Sequence, residues 1–101
     1  MEYLNKIHLK GTIGSINKSG HFTEMSICVV EEEKDIRNIN DTPLIHNTWF
    51  AVILLNTALN LQKGQNVEIL GRLRARRSIN ASGGEYLSYE VLAQEVNILS
   101  N

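Results

Sequence analysis

Three arginines alternate along one predicted strand in the C-terminal half of the chain. Successive side chains of a strand point to opposite faces, so Arg72, Arg74 and Arg76 share one face. The rise of a strand separates them by about 7 Å, close to the phosphate spacing of an extended single strand. Arginine binds phosphate through paired hydrogen bonds and also stacks on bases. The row therefore indicates a phosphate-binding face. The alternative is a solvated edge that opposes aggregation.

Aromatic side chains near these arginines would give bases a surface to stack on. The residues that could widen the basic strip or supply a ring are Arg77, Lys18, Trp49, Tyr86 and Tyr89. The alternative for Trp49 is a core or interface position, which is common for tryptophan. We expect Phe22 and Phe50 to pack inward.

Other chemistry finds little support in the residue pattern. The three histidines are scattered and no cysteine lies at ligand spacing, so no metal site is predicted. Adjacent carboxylates at Glu31–Glu33 do not converge on one point and indicate a solvated loop edge. The single cysteine, Cys28, lies in an apolar run and is predicted to be a buried small hydrophobe. We expect no cofactor and no catalytic residue, so the protein is predicted not to be an enzyme.

Composition places the chain among ordinary globular domains. Its 101 residues are enough for one domain over residues 1–101, and 43% of them are apolar. The formal net charge is −1, which argues mildly against a nucleic-acid partner. No segment approaches the roughly 20 apolar residues of a membrane span, so no membrane partner is expected and the cytoplasm is the predicted location.

Period-two alternation predicts an all-β fold of five strands. A short helix is predicted over residues 57–61, between strands three and four, and the polar segment 32–46 is predicted to be a long exposed loop or hairpin arm. The strands are expected at about residues 7–13, 21–31, 49–56, 66–77 and 85–99. Trp49–Asn56 is almost entirely apolar, which predicts a strand covered on both sides. Gly11 and Gly71 suit sharp bends of a small barrel. This pattern favours an OB-fold barrel, with another small barrel as the alternative.

Four segments resemble, in the same order, the bacterial single-stranded DNA-binding proteins. Lys63–Arg76 is the best match, because it follows the family's pattern Lys-Gly-x-x-Val-x-Val-x-Gly-x-Leu-x-x-Arg almost throughout. The other three segments are Asn5–Gly14, Thr48–Leu54 and Glu90–Val96. The resemblance implies the OB fold, binding of single-stranded DNA, and assembly as a homodimer or homotetramer through strand one.

The chain also departs from that family. Of the aromatic residues on which the family stacks bases, only Trp49 is present, and Glu33, Leu55 and Ser78 stand where many members carry a ring. The helix is shorter than usual, and the family's flexible tail with an acidic tip has no counterpart before Asn101. Length and tail also resemble primosomal replication protein B, a dimeric relative.

Two hypotheses follow. The first is a sequence-tolerant single-stranded DNA binder acting in replication, repair or DNA transfer, with RNA as an alternative ligand. The second is an OB-fold dimer that docks a protein partner and has little affinity for DNA. The arginine row and Trp49 favour the first, whereas the net negative charge and the missing rings favour the second.

Overall fold

A computed structural model describes residues 3–33, 44–55 and 59–100 of the chain. Five strands form a closed barrel in the order β1-β2-β3-β5-β4. Only β3 and β5 pair in parallel, and the other neighbouring strands are antiparallel. This is the predicted all-β OB-fold barrel. The strands are β1 (Ile7–Lys18), β2 (Thr23–Glu33), β3 (Leu44–Leu54), β4 (Asn66–Ile79) and β5 (Glu85–Ser100).

The core fills the barrel with alternate residues of every strand. Each strand turns one set of side chains inward, as the period of two requires. Aliphatic side chains account for most of the core, and Leu61 from the β3–β4 connection covers one end. The buried hydrophobic residues are Ile13, Met25, Ile27, Val52, Leu54, Leu61, Val67, Ile69 and Val91.

Strand β1 curves strongly because it serves two neighbours. Its first half pairs with β4 up to Thr12, and from Thr12 onward it pairs with β2. At the crossing a Cβ on Gly11 would overlap the carbonyl oxygen of Cys28, so only glycine allows this backbone approach. Gly14 has no partner in the β1–β2 register and forms a bulge. The predicted bend at Gly11 therefore lies where the strand changes partners.

Strands β4 and β5 continue beyond the barrel as a two-stranded arm. Their pairing runs without interruption from Gly71 with Ala93 to Ile79 with Glu85. Residues 72–77 are all exposed, including Leu73, which the alternation alone would have placed in the core. The inward face of β4 thus loses its cover where the strand leaves the barrel.

Two local predictions differ from the structure. Strand β3 is covered on one face only, because Val52 and Leu54 are buried while Trp49 and Ala51 are exposed. Its apolar run therefore reflects a hydrophobic outer face and not burial on both sides. The helix prediction lies partly outside the described residues, at Thr57 and Ala58, and residues 59–65 form a bend and a turn with no helix.

The segment 32–46 is described only in part. Glu33 ends β2 and Leu44 begins β3, and residues 34–43 lie outside the described part of the chain. Within the described residues, no helix is long and apolar enough to span a membrane.

Candidate nucleic-acid interface

A groove runs across the outer face of β1, β2 and β3. Directly paired residues share a face, so the pairs Asn17 with Glu24, Ser26 with Ala51 and Cys28 with Trp49 all point outward. All of these residues except Cys28 border an open cavity of about 530 Å³. Arg76 and Glu90 reach the same cavity from β4 and β5. The cavity therefore combines a ring, a guanidinium group, carboxylates and small polar groups.

Trp49 lies at one end of this groove with its ring held against the backbone of β1. The side chain is 58% exposed, so it is not a core residue. A Cβ on Gly14 would lie 2.6 Å from Cη2 of Trp49, which means that the ring occupies the space a side chain would need. The Trp49 indole therefore packs directly on the backbone at Gly14, and much of the surface of the indole remains open to solvent.

A second cavity of about 510 Å³ adjoins the first, toward the β4–β5 arm. Phe22 and Leu55 form its apolar wall, and Arg74 lines it from β4. The two cavities share the lining residues Glu24, Ile53, Arg76 and Glu90. They are two parts of one groove, with the charged residues at the junction.

Arg74 and Glu90 form an ion pair within the groove. They are opposite each other in the β4–β5 register, and Nε of Arg74 donates to Oε1 of Glu90 at 3.0 Å, with Nη2 donating to the same oxygen. Glu90 is only 6% exposed. A buried carboxylate requires such a partner, so one guanidinium of the predicted row is already engaged.

Arg76 differs from Arg74 in its surroundings. It is exposed, it lines both cavities, and among the described residues no carboxylate lies within ion-pair distance of it. Arg72 shares the face of these two arginines through its pairing with Leu92 but lines neither cavity.

The remaining predicted residues divide between the two faces of the arm. Tyr86 pairs with Ser78 on the arginine face, whereas Tyr89 pairs with Ala75 on the opposite face. Arg77 is on that opposite face, where Nη1 lies 4.0 Å from the Glu85 carboxylate. Lys18 ends β1 and lines neither cavity. The structure thus brings Trp49 and Arg76 together in one cavity, keeps Arg72, Arg74 and Tyr86 on the face of Arg76, and leaves Arg77, Tyr89 and Lys18 apart from them.

The groove residues that were not predicted from the sequence include Phe22, Glu24 and Glu90. Phe22 was expected to pack inward but is half-buried in the wall of the second cavity. It lies near Leu55, one of the positions where this chain lacks the aromatic residue that many of the bacterial single-stranded DNA-binding proteins carry. Glu24 is two residues from Phe22 on the same face, so alternation could have revealed both. Glu90 carried no such signal, because its position depends on the register between β4 and β5.

The position of Cys28 and the arrangement of metal-ligating residue types can both be stated for the described residues. Cys28 is half-buried on the outer face beside Trp49, in contrast to the expected core position. Within residues 3–33, 44–55 and 59–100, no group of three or more potential ligands could hold a metal ion.

A polar network lies apart from the groove, where β1 pairs with β4. Nε2 of His8 is 2.7 Å from Oε2 of Glu68, and Nζ of Lys10 is 3.9 Å from the same oxygen. The hydrogen bond with His8 lowers the pKa of Glu68 below its ordinary value of 4.5. The charges of His8 and Lys10 act in the same direction, and desolvation opposes them.

Comparison with solved structures identifies proteins of the same fold. The Plasmodium falciparum SSB in complex with single-stranded DNA superposes with a TM-score of 0.82 at 18% identity, covering 99% of this chain and 98% of that one. A Thermus aquaticus single-stranded DNA-binding protein gives a TM-score of 0.75 at 19% identity, over 97% of this chain and 51% of that one. The mitochondrial single-stranded DNA-binding protein of S. cerevisiae gives 0.67 at 15% identity, with 96% of each chain covered.

Searches with the sequence found no matching family model and no matching curated protein. At these identities the structural likeness establishes the fold. It agrees with the resemblance drawn from the four sequence segments.

Proposed function

We propose that this protein binds single-stranded DNA in the groove between Trp49 and the β4–β5 arm. The contacts that it makes with the DNA backbone depend little on the base sequence. The observation that carries the proposal is the meeting of Trp49 and Arg76 in one cavity. These residues come from strands that are not neighbours in the barrel. One supplies a face for a base, and the other supplies a cation for a phosphate.

The contacts support a particular division of roles. Trp49 stacks on a base, and Arg76 and Arg72 contact phosphates along the arginine face, where Tyr86 offers a second ring. Arg74 contributes less to phosphate binding because Glu90 already neutralises it. Arg77, Tyr89 and Lys18 lie outside this track. The solved structures of the same fold are of single-stranded DNA-binding proteins, which favours this ligand.

Assembly through β1 belongs to the same proposal. In the described part of the chain, residues 7–11 pair with β4 on one side, and pairing with β2 begins only at Thr12. That leaves backbone groups of the first half of β1 as an edge on which a second copy can pair. We infer a homodimer through this edge, with a homotetramer as the larger alternative.

One experiment tests the proposed function with two independent signals. Trp49 is the only tryptophan, so quenching of its fluorescence by oligo-dT reports stacking directly. Polarisation of a labelled oligo-dT in a salt series reports affinity and phosphate contacts. We expect Trp49→Ala to weaken binding by about 1–3 kcal/mol while leaving the salt dependence nearly unchanged.

Tyr89→Ala is the matched control, because Tyr89 is 60% exposed but on the opposite face of the arm. It should bind like the parent protein. If the parent protein shows no salt-dependent binding at low salt, the proposal fails.

A protein-docking function is the second candidate, and one observation favours it. The face of the arm opposite the arginines carries exposed apolar side chains at Leu73, Ile79, Leu87 and Tyr89. An arm of this kind suits contact with another protein. Absence of DNA binding in the experiment above would favour this candidate.

A further inference from the structure

We infer that the groove selects bases that carry an exocyclic amino group, so that the protein binds oligo-dC more tightly than oligo-dT. The inference rests on the proposed function and adds a base preference to it. Its basis is the pair of carboxylates, Glu24 and Glu90, at the junction of the two cavities.

These carboxylates determine which part of the strand enters the groove. Phosphates are repelled by Glu24, since Glu90 is already neutralised by Arg74, whereas Arg76 and Arg72 attract them at the side of the arm. A bound strand therefore keeps its backbone against the arm and turns its bases toward β2 and β3. Trp49 lies on this same outer face, with its ring held on Gly14, so a base stacked there directs its polar edge along the groove.

The polar edge of the base then faces hydrogen-bond acceptors. An ionised carboxylate only accepts hydrogen bonds. Cytosine offers its N4 amino group, and carboxylate acceptance from this group is a known mode of base recognition. Thymine offers only N3–H, which is flanked by two carbonyl oxygens that repel a carboxylate.

The position of Glu90 is fixed by the fold. It is more than nine-tenths buried, and two donors of Arg74 hold its Oε1. Its carboxylate therefore stays at the groove junction and does not have to be ordered when DNA binds. Glu24, on β2, is half-buried and borders both cavities.

The test compares labelled oligo-dC and oligo-dT of equal length at one salt concentration. A single hydrogen bond to a charged group predicts roughly tenfold tighter binding of oligo-dC. Glu24→Gln replaces an acceptor with a group that also donates, so the ratio of the two affinities should fall toward one. Removing the negative charge strengthens binding of both oligonucleotides alike, and the ratio is insensitive to that change.

Glu31→Gln is the control, because it makes the same chemical change on β2 but on the face away from the groove. It should keep the parent ratio. Equal, salt-dependent binding of both oligonucleotides by the parent protein would overturn the base preference and leave the proposed function intact. A preference that Glu24→Gln and Glu90→Gln both leave unchanged would also overturn it. Absence of binding to either oligonucleotide would instead contradict the proposed function.

Discussion

The two halves of β4 have the same alternating pattern but different tasks. In the barrel half, Val67 and Ile69 are fully buried, and their outward neighbours pair with β1 and β5. In the arm half, Leu73 and Ala75 occupy the equivalent positions but are exposed, and the alternate positions carry arginines. The difference arises because β1 pairs with β4 only as far as Gly71. A single strand thus supports the core at one end and a binding surface at the other.

The boundary between the halves is a close backbone contact. A Cβ on Gly71 would overlap the carbonyl oxygen of Leu92, and the β4–β5 register shifts between Leu70 and Gly71. A bulge bends and twists the paired strands locally. The shift changes the direction of the arm relative to the barrel. Arg76 lies in the arm, beyond this shift, and so its access to the groove depends on that change of direction.

The largest expected effect is a difference in the free energy of unfolding between substitutions in the two halves of β4. Ile69→Ala removes a side chain that is 0% exposed and should lower the free energy of unfolding by about 2–5 kcal/mol. Leu73→Ala, at 38% exposure in the arm, should cost less than about 1 kcal/mol. Urea denaturation at one protein concentration measures both. Equal losses would show that the arm is part of the cooperative core.

The next effect concerns the packing of the Trp49 indole ring against Gly14. Gly14→Ala places a methyl group where the Trp49 ring lies, so the exposed ring must move while the core remains unchanged. We expect affinity for oligo-dT to fall by most of the roughly 1–3 kcal/mol attributed to stacking. The free energy of unfolding should change by less than about 1 kcal/mol.

Gly20→Ala provides the matched control for this change. A Cβ there meets no atom within 4 Å, so neither stability nor binding should change appreciably. Unchanged binding by Gly14→Ala would show that the ring position in the free protein does not matter for the ligand.

A smaller effect compares the two faces of the arm. Arg76→Ala should reduce the slope of log affinity against log salt by about 0.7, the contribution of one phosphate on a single strand. Arg77→Ala removes the adjacent cation, whose side chain is on the other face, and should leave the slope nearly unchanged. Equal changes would indicate that DNA wraps around the arm or that the whole arm acts as a diffuse positive charge.

Sequence alone predicted the parts of this site that depend on local periodicity. The arginine face and the inward positions of Val67 and Ile69 follow from the period of two. Tyr86 and Tyr89 are three residues apart on one strand, so the period of two also places them on opposite faces. This conclusion was not drawn from the sequence, although the spacing allowed it. The engagement of Arg74 by Glu90 was not predictable, because it depends on a register set by the β4–β5 turn. The meeting of Trp49 and Arg76 depends on how the barrel closes.

The smallest expected effect lies in the barrel half of β4, at Glu68. Its pKa is lowered chiefly by the hydrogen bond with His8, so the folded state binds fewer protons than the unfolded state in the window just below pH 4.5. The contribution of Glu68 to stability is therefore fully present above that window and is lost as the pH falls through the folded-state pKa. Glu68→Gln should remove this part of the acid dependence by lowering stability at neutral pH, while changing little in acid, where Glu68 itself is protonated.

Urea midpoints measured from neutral pH down to acid check this prediction. Glu95→Gln on β5 is the control, because it makes the same chemical change outside the network of His8 and Lys10. The parent protein and Glu95→Gln should lose stability with similar steepness below pH 4.5, and Glu68→Gln should lose it less steeply. Because Glu68 is in the barrel half, all three proteins should bind oligo-dT alike at neutral pH. A change in binding by Glu68→Gln would contradict the division of β4 into a supporting half and a binding half.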